Sequence, residues 1–321
     1  MGHLLEVKNL TVGVKKNKEY LKVIDDISFI VDEGEILGLS GESGCGKTMT
    51  ALSILGLLPE GVVILDGEII YKNKPITNLN ESEMCKIRGK EISVIFQETR
   101  QSLNPLLKVG KQITETLELQ NTVKKIDRQK NKDAALTILQ SLGFKNPVRI
   151  YNAYPHQLSG GMCQRVMTAI AAIRRPSLLL ADEPSSSLDE ESQSNILALL
   201  SKMNREEKTS VLIISHDLSI IMKFCNRYLV MYAGKIIEEG RSFPPLHPYT
   251  KALTMAIPSK EKRGEELENI PGNSPSVGDN FTGCSFAPRC KSVKDECFKS
   301  FPPPVIIDGN IVRCFFPEAV K

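Results

Sequence analysis

No stretch of the sequence approaches the ~18 consecutive apolar residues of a membrane-crossing helix. The first residues, Met1-Gly2-His3-Leu4-Leu5-Glu6-Val7, lack a basic segment followed by a long apolar one. The expectation is a chain that is neither membrane-spanning nor secreted. Charge excess is missing too. Lys plus Arg number 41 against 38 Asp plus Glu, a net charge of only +3, which argues against nucleic acid as a general partner. There is no internal repeat. At 321 residues the chain can hold one large domain, or a domain with an appendage.

What is present is organised around Ile36 to Thr48. A short apolar strand, Ile36 to Leu39, leads through Ser40-Gly41-Glu42-Ser43-Gly44-Cys45-Gly46 into a helix opening at Lys47-Thr48-Met49. Gly41, Gly46, Lys47 and Thr48 fit G-x-x-x-x-G-K-[ST], whose consecutive backbone amides converge on a phosphate because glycines permit the required backbone angles. The helix N-terminus adds its dipole, Lys47 can reach the outer phosphates, and the Thr48 hydroxyl can ligate magnesium. With a nucleotide motif and no signal segment, the eight cysteines point to a reducing compartment and are not read as disulfides.

Residues 4 to 35 alternate like strands, with Ile27 to Val31 the clearest run. Val62 to Leu65 and Glu68 to Tyr71 flank Asp66-Gly67, and Ile92 to Phe96 ends on Gln97. From about 110 to 175 the period is helical, as in Ala134 to Leu142 and Arg165 to Ile173. Leu178 to Ala181 and Val211 to Ile214 are continuous apolar runs of the kind shown by parallel strands covered on both faces, separated by a helix from Ser192 to Glu207. Tyr228 to Glu239 reads as a hairpin turning at Ala233-Gly234-Lys235. Beyond Pro244, proline and glycine cluster, and the pattern predicts a linker and a loop-rich tail rather than more sheet.

Leu178 to Glu183 delivers Asp182 and Glu183 to a strand's C-terminal edge, where ligands sit in open α/β sheets. Asp182 can hold magnesium, and Glu183 can orient and polarise a water for attack on the terminal phosphate. A helix-capping acid pair is the alternative. Gln97 and His216 also end apolar strands and could face that phosphate. In Leu158-Ser159-Gly160-Gly161, Ser159 is a natural N-cap and the glycine amides form a second anion site without a lysine. A plain capped helix start is the competing reading.

The order of phosphate loop, Gln97, Leu158-Ser159-Gly160-Gly161, Leu178 to Pro184, Ser187-Leu188-Asp189 and His216 resembles the nucleotide-binding subunit of an ATP-binding-cassette transporter. The resemblance implies a phosphate-loop NTPase α/β core with an antiparallel β subdomain and a helical subdomain at about 100–175, all within 1–243. The remainder, 244–321, is a small cysteine-containing extension. It further implies two subunits that sandwich ATP head to tail, Ser159 and Gly161 of one meeting the phosphate held by Lys47 of the other. The implied nucleotide contacts are Ser40 to Met49, Ser159 to Gly161 and Asp189. Glu183, His216 and Gln97 are catalytic, and Thr48, Gln97 and Asp182 hold Mg2+.

Finer motifs resemble bacterial oligopeptide, dipeptide and nickel importer ATPases: Ser102-Leu103-Asn104-Pro105, Met162 after the glycine pair, and His247 to Leu253. Met162 resembles the D-type subunit, which implies an F-type ATPase partner, two permeases and an extracellular substrate-binding protein, at the cytoplasmic face of the membrane. Oligopeptide uptake leads, with dipeptide, nickel or metallophore uptake as alternatives. A cassette ATPase with no permease usually carries two cassettes or coiled-coil inserts, and neither pattern occurs.

Four cysteines, Cys284, Cys290, Cys297 and Cys314, stand in a tail too small for its own core, where a metal clip would serve. Their spacing suits neither common zinc modules nor a unique cluster type. The resemblance favours [4Fe–4S], with Zn2+ or nothing as alternatives. Cys45, Cys85, Cys163 and Cys225 are read as structural. Two departures stand out. Val14 replaces the aromatic residue that relatives use to stack on adenine, leaving Tyr20 or no stacking partner, and Glu98-Thr99 replaces the pair usual after the glutamine.

Overall fold

The computed structural model describes residues 2–97, 99–118, 127–185, 188–241, 244–256, 270–279 and 281–317. Glu98 and Ser187 lie outside the described residues, as does the side chain of Thr99. In chain order the strands are β1 (His3–Lys16), β2 (Glu19–Asp32), β3 (Ile36–Ser40), β4 (Val62–Tyr71), β5 (Lys74–Pro75), β6 (Ile92–Ile95), β7 (Leu178–Asp182), β8 (Ser210–Ser215), β9 (Arg227–Tyr232), β10 (Lys235–Gly240), β11 (Val305–Ile307) and β12 (Asn310–Val312). The helices are α1 (Lys47–Leu55), α2 (Glu81–Ile87), α3 (Thr99–Ser102), α4 (Val109–Glu118), α5 (Arg128–Ser141), α6 (Pro147–Asn152), α7 (Gly160–Ala172), α8 (Glu190–Glu207), α9 (Leu218–Phe224) and α10 (Pro248–Met255). Among the described residues no helix is long and apolar enough to cross a membrane.

The chain divides into two compact units. One comprises Met1–Asp32, Ile36–Leu79 and Ile214–Lys321, the other Glu33–Glu35 and Asn80–Ile213. In the first unit an antiparallel sheet runs in the order β2-β1-β4-β5. The strand signals on either side of Asp66-Gly67 belong to one strand, because the pair forms an irregularity inside β4, between the Lys8↔Glu68 and Thr11↔Asp66 partners. Gly67 adopts φ 91, and a Cβ there would come within 2.5 Å of the Lys8 and Asn9 carbonyl oxygens, so only glycine lets the two backbones approach.

The other sheet of this unit runs β11-β12-β10-β9-β3. β3 lies parallel to β9 from Leu37↔Arg227 to Ser40↔Val230, and all five of its residues are buried. β9 and β10 form the expected hairpin, turning at Ala233 and Gly234 with φ 46 and 79. The tail corrects the sequence expectation of a loop-rich segment without further sheet. β12 pairs antiparallel with β10 at Glu238↔Val312 and Glu239↔Ile311, and β11 pairs with β12. A local signal for the hairpin exists, since Val305-Ile306-Ile307 and Ile311-Val312 flank Asp308-Gly309, but the surrounding prolines and glycines outweighed it in the sequence pattern.

In the second unit β6 is parallel to β7, from Ile92↔Leu178 to Ile95↔Ala181, and β8 follows β7 with residues 210–213 in this unit. Leu178 to Ala181 and Val211 to Ile214 are fully buried, each large side chain contributing about 1.5–3 kcal/mol. Seven helices, α2 to α8, belong here among the described residues. α8 buries Ile196, Leu199, Leu200 and Met203 at helical spacing and starts two residues before the expected Ser192, because Asp189 takes the cap.

Candidate active site

The phosphate loop joins β3 to α1 in the expected place. Gly41, Gly44 and Gly46 adopt φ 150, 82 and 111, and Gly46 is the N-cap of α1. A Cβ on Gly41 would overlap the Met231 carbonyl oxygen, and one on Gly46 would stand 2.8 Å from Met231 Cε and 3.1 Å from the Val23 carbonyl oxygen. The loop is therefore seated on the β9–β10 hairpin. The Gly234 amide donates to the Cys45 carbonyl at 3.0 Å, and the Asp25 amide donates to the Gly234 carbonyl at 2.9 Å.

Lys47 is buried and its ammonium curls into the loop, donating to the Gly41 and Glu42 carbonyls at 2.7 and 2.9 Å. A polyphosphate would exchange those carbonyls for better acceptors, since an ionised acceptor strengthens the bond. Ser40 is buried with a hydroxyl that has no hydrogen-bond partner. Ser43 and Gly44 are exposed at the crest, while Thr48 and Met49 are half-buried on the first turn of α1. Burial pushes the Cys45 thiol up, against the opposing charge of Lys47, so it stays a neutral packing group. Tyr20 stands exposed near the β1–β2 turn opposite Lys15. His216 is exposed, one residue beyond β8.

Glu42, inside the loop, has partners far along the chain. Arg289 grips its carboxylate with two bonds, Nη1 to Oε2 at 2.6 Å and Nη2 to Oε1 at 3.0 Å. Ser274 Oγ donates to Oε2 at 2.6 Å, and the Glu42 amide donates to the Tyr249 hydroxyl at 2.8 Å. Burial alone would raise the Glu42 carboxyl, but the bonds from Arg289 and Ser274 outweigh it and hold the group below its ordinary value. Nothing in the local sequence pattern singles out Arg289 or Ser274 as partners of the loop. Arg289 and Glu42 stand 247 positions apart, so no periodicity could have linked them.

The second unit carries the acids. Asp182 ends β7 and is buried, and Glu183 follows, buried, at φ 50. The Ile95↔Ala181 register sets Gln97 and Glu183 at the same edge, each two residues beyond that pair, with Gln97 exposed. Ser159 caps α7, accepting from the Met162 amide at 3.3 Å, and Gly160 is exposed with open space around it. Gly161 lies against Leu188, whose Cδ2 a Cβ would meet at 2.9 Å. Gln164 Nε2 on the same helix donates to the Glu183 carbonyl at 3.1 Å. Asp189 caps α8, accepting from the Ser192 amide at 2.8 Å and its hydroxyl at 3.0 Å, and these bonds hold its carboxyl below the usual range. Thr48 in the first unit, and Asp182 and Gln97 in the second, each carry the oxygen donors that a hard cation such as Mg2+ prefers.

The four tail cysteines line one tight apolar cavity of about 10 Å³ with Phe286, Pro302, Phe315, Phe316 and His247. Burial pushes Cys284 up and Cys314 up to about 11, and the neighbouring thiols Cys290 and Cys297 add to both shifts. Among the described residues, no group of three or more His, Cys, Asp or Glu is arranged to hold a metal ion. His247 is buried and held neutral, its value lowered to about 3 by burial. Its Nδ1 accepts from the Tyr249 amide at 3.1 Å, which leaves the proton on Nε2, an atom with no hydrogen-bond partner.

Comparison with known proteins gives these features a family. Residues 24–186 match the ABC transporter model, and residues 243–297 match the oligopeptide/dipeptide transporter C-terminal region. The chain is 41% identical to the oligopeptide transport ATP-binding protein AppD of Bacillus subtilis (strain 168), covering 99% of this chain and 98% of that protein. It is 39% identical to OppD of Haemophilus influenzae, over 92% of each, and 38% identical to the dipeptide transport protein DppD of B. subtilis, over 99% and 96%. Among solved structures, the dimeric ATP-binding cassette MJ0796 bound to ADP and Pi aligns with a TM-score of 0.68 at 28% identity, over 75% of this chain and 99% of that one. The chain belongs to the ATPase subunits of ATP-binding-cassette transporters, in the oligopeptide/dipeptide family, and is an ATP-hydrolysing enzyme.

Proposed function

We propose that this chain is the D-type ATPase of a bacterial importer of oligopeptides, working beside an F-type ATPase under two permeases fed by an extracellular binding protein. It would act at the cytoplasmic face of the membrane. The observation that carries the reading is likeness along the whole chain, tail included, to ATPases named for oligopeptide and dipeptide transport. Dipeptide import is the second reading, favoured by the 38% identity to DppD.

In this proposal the amides of Gly41 to Thr48 and the Lys47 ammonium hold the outer phosphates, while Thr48, Asp182 and Gln97 hold Mg2+. Glu183 takes the proton of the attacking water, and His216 and Gln97 orient the water and the terminal phosphate. Ser159 to Gly161 and Asp189 complete the site on the facing subunit, with Tyr20, or no aromatic residue, stacking on adenine. The magnesium ion supplies charge neutralisation when bound. Residues 1–243 form the nucleotide-binding domain, its helical part at about 100–175, and 244–321 form the extension. Cys284, Cys290, Cys297 and Cys314 hold a [4Fe–4S] cluster, with Zn2+ as the alternative occupant. Their shared cavity supports that assignment.

The test is uptake of labelled peptides by cells lacking the gene and complemented with the chain or with Glu183→Gln. Uptake restored by the first and not the second is expected. Normal uptake of both di- and oligopeptides in the deletion strain would overturn the substrate assignment.

A further inference from the structure

A carboxylate inside a phosphate-binding loop is unfavourable for ATP unless it is neutralised and held aside, because like charges repel across a few ångströms. Glu42 is the first residue after Gly41 in that loop, and each of its polar groups is engaged. Its amide donates to the Tyr249 hydroxyl, its carbonyl accepts from Lys47, and its carboxylate is gripped by Arg289 and Ser274. Arg289 is 8% exposed on its side chain, and its own position is set by a bond from Nε to the Pro271 carbonyl at 2.8 Å and one from Nη1 to the Tyr232 hydroxyl at 3.2 Å. Tyr232, Tyr249 and Phe286 pack edge to face at 4.6 to 5.3 Å between ring centres, bracing the segment that carries Arg289.

We propose that Arg289 is a positioning residue for the nucleotide site: its guanidinium neutralises Glu42 and holds that side chain away from the phosphates. The C-terminal extension thereby becomes part of the ATP-binding apparatus. A bidentate guanidinium–carboxylate pair suits this role because it fixes direction as well as charge. The proposal rests on the ATP chemistry of the family and is independent of what the four thiols hold.

The experiment compares ATP affinity of the full chain, using a fluorescent ATP analogue, with kcat and KM in the assembled transporter. Four forms are used: unmodified, Arg289→Ala, Arg289→Lys, and Arg289→Ala combined with Glu42→Gln. Arg289→Ala is expected to weaken ATP binding about tenfold and raise KM alike, with kcat within about twofold. The double variant should regain most of the loss, since no unpaired carboxylate remains. Arg289→Lys keeps the charge but not the paired geometry, and should weaken binding about threefold. If Arg289→Ala does not fold, Arg289→Lys carries the test. Unchanged affinity in the arginine variants, or a double variant as weak as Arg289→Ala, would overturn the proposal and leave Arg289 a tail anchor only. Failure of the unmodified chain to bind ATP would count instead against the ATP chemistry.

Discussion

Gln164 holds Glu183 by its backbone: Nε2 of the glutamine donates to the glutamate carbonyl at 3.1 Å, and both residues are buried. Glu183 sits at φ 50, a left-handed conformation that a non-glycine residue keeps only when its surroundings enforce it. The helix that begins at the Ser159-Gly160-Gly161 turn thus supports the backbone that presents the proposed base. Gln164→Ala should lower kcat about fivefold with KM little changed, corresponding to one lost hydrogen bond of about 1 kcal/mol. Steady-state phosphate release by the assembled transporter measures it. An unchanged kcat would mean that Glu183 keeps its geometry without the glutamine.

Glu183→Gln should retain ATP binding and reduce phosphate release at least about a hundredfold, because the amide cannot accept the proton. Equal rates for the two proteins would remove Glu183 from the role of base.

Gly41→Ala should destabilise the first unit by about 3 kcal/mol and abolish nucleotide binding. At φ 150 the new Cβ would overlap the Met231 carbonyl oxygen and approach Cys45 Sγ to 2.8 Å. Thermal unfolding with and without ATP tests both effects, and a stable variant that ATP still protects would contradict them.

Glu238 is buried and accepts from the Tyr228 hydroxyl and from the Leu246 and His247 amides, each at 2.9 Å. Glu238→Ala would strand three donors at the junction between β10 and the tail, at a cost of about 3 kcal/mol by chemical denaturation. A loss below about 1 kcal/mol would show that water replaces the carboxylate.

Asp25 accepts from Lys22 at 2.7 Å and pairs with Lys235. Burial would raise its carboxyl, but the two lysines outweigh that and keep it below 3.8. Its contribution is therefore present above the unfolded value and is lost as pH falls through the lower folded one. Asp25→Asn should flatten the acid side of the stability curve and leave the slope near neutrality unchanged. An identical acid slope in both proteins would show that the pair does not stabilise the fold.

The cluster proposed for the four tail cysteines predicts brown protein carrying iron and sulfide when it is prepared without oxygen, and loss of that colour in Cys297→Ser. Colourless protein with one zinc per chain would exclude the cluster.

Local physics made much of the fold legible. The strand, glycine turn and helix from Ile36 to Leu55 are specified by residues adjacent in sequence, and so are the Ser159 cap, the α8 stripe and the β9–β10 hairpin. Each depends on contacts a few residues apart, where apolar period and backbone preference decide the outcome. Asp66-Gly67 was less legible, because a bulge and a turn share the same residues and only the pairing with β1 separates them.

The sequence by itself determined that a triphosphate loop, a pair of strand-end acids and four tail cysteines exist, since each is written in neighbouring residues. Only the tertiary structure decided that β12 extends the sheet beside β10, that four cysteines spread over 31 positions share one cavity, and that Arg289 reaches Glu42. Those relationships depend on loop closure over long separations, set by how apolar surfaces pack rather than by any local pattern.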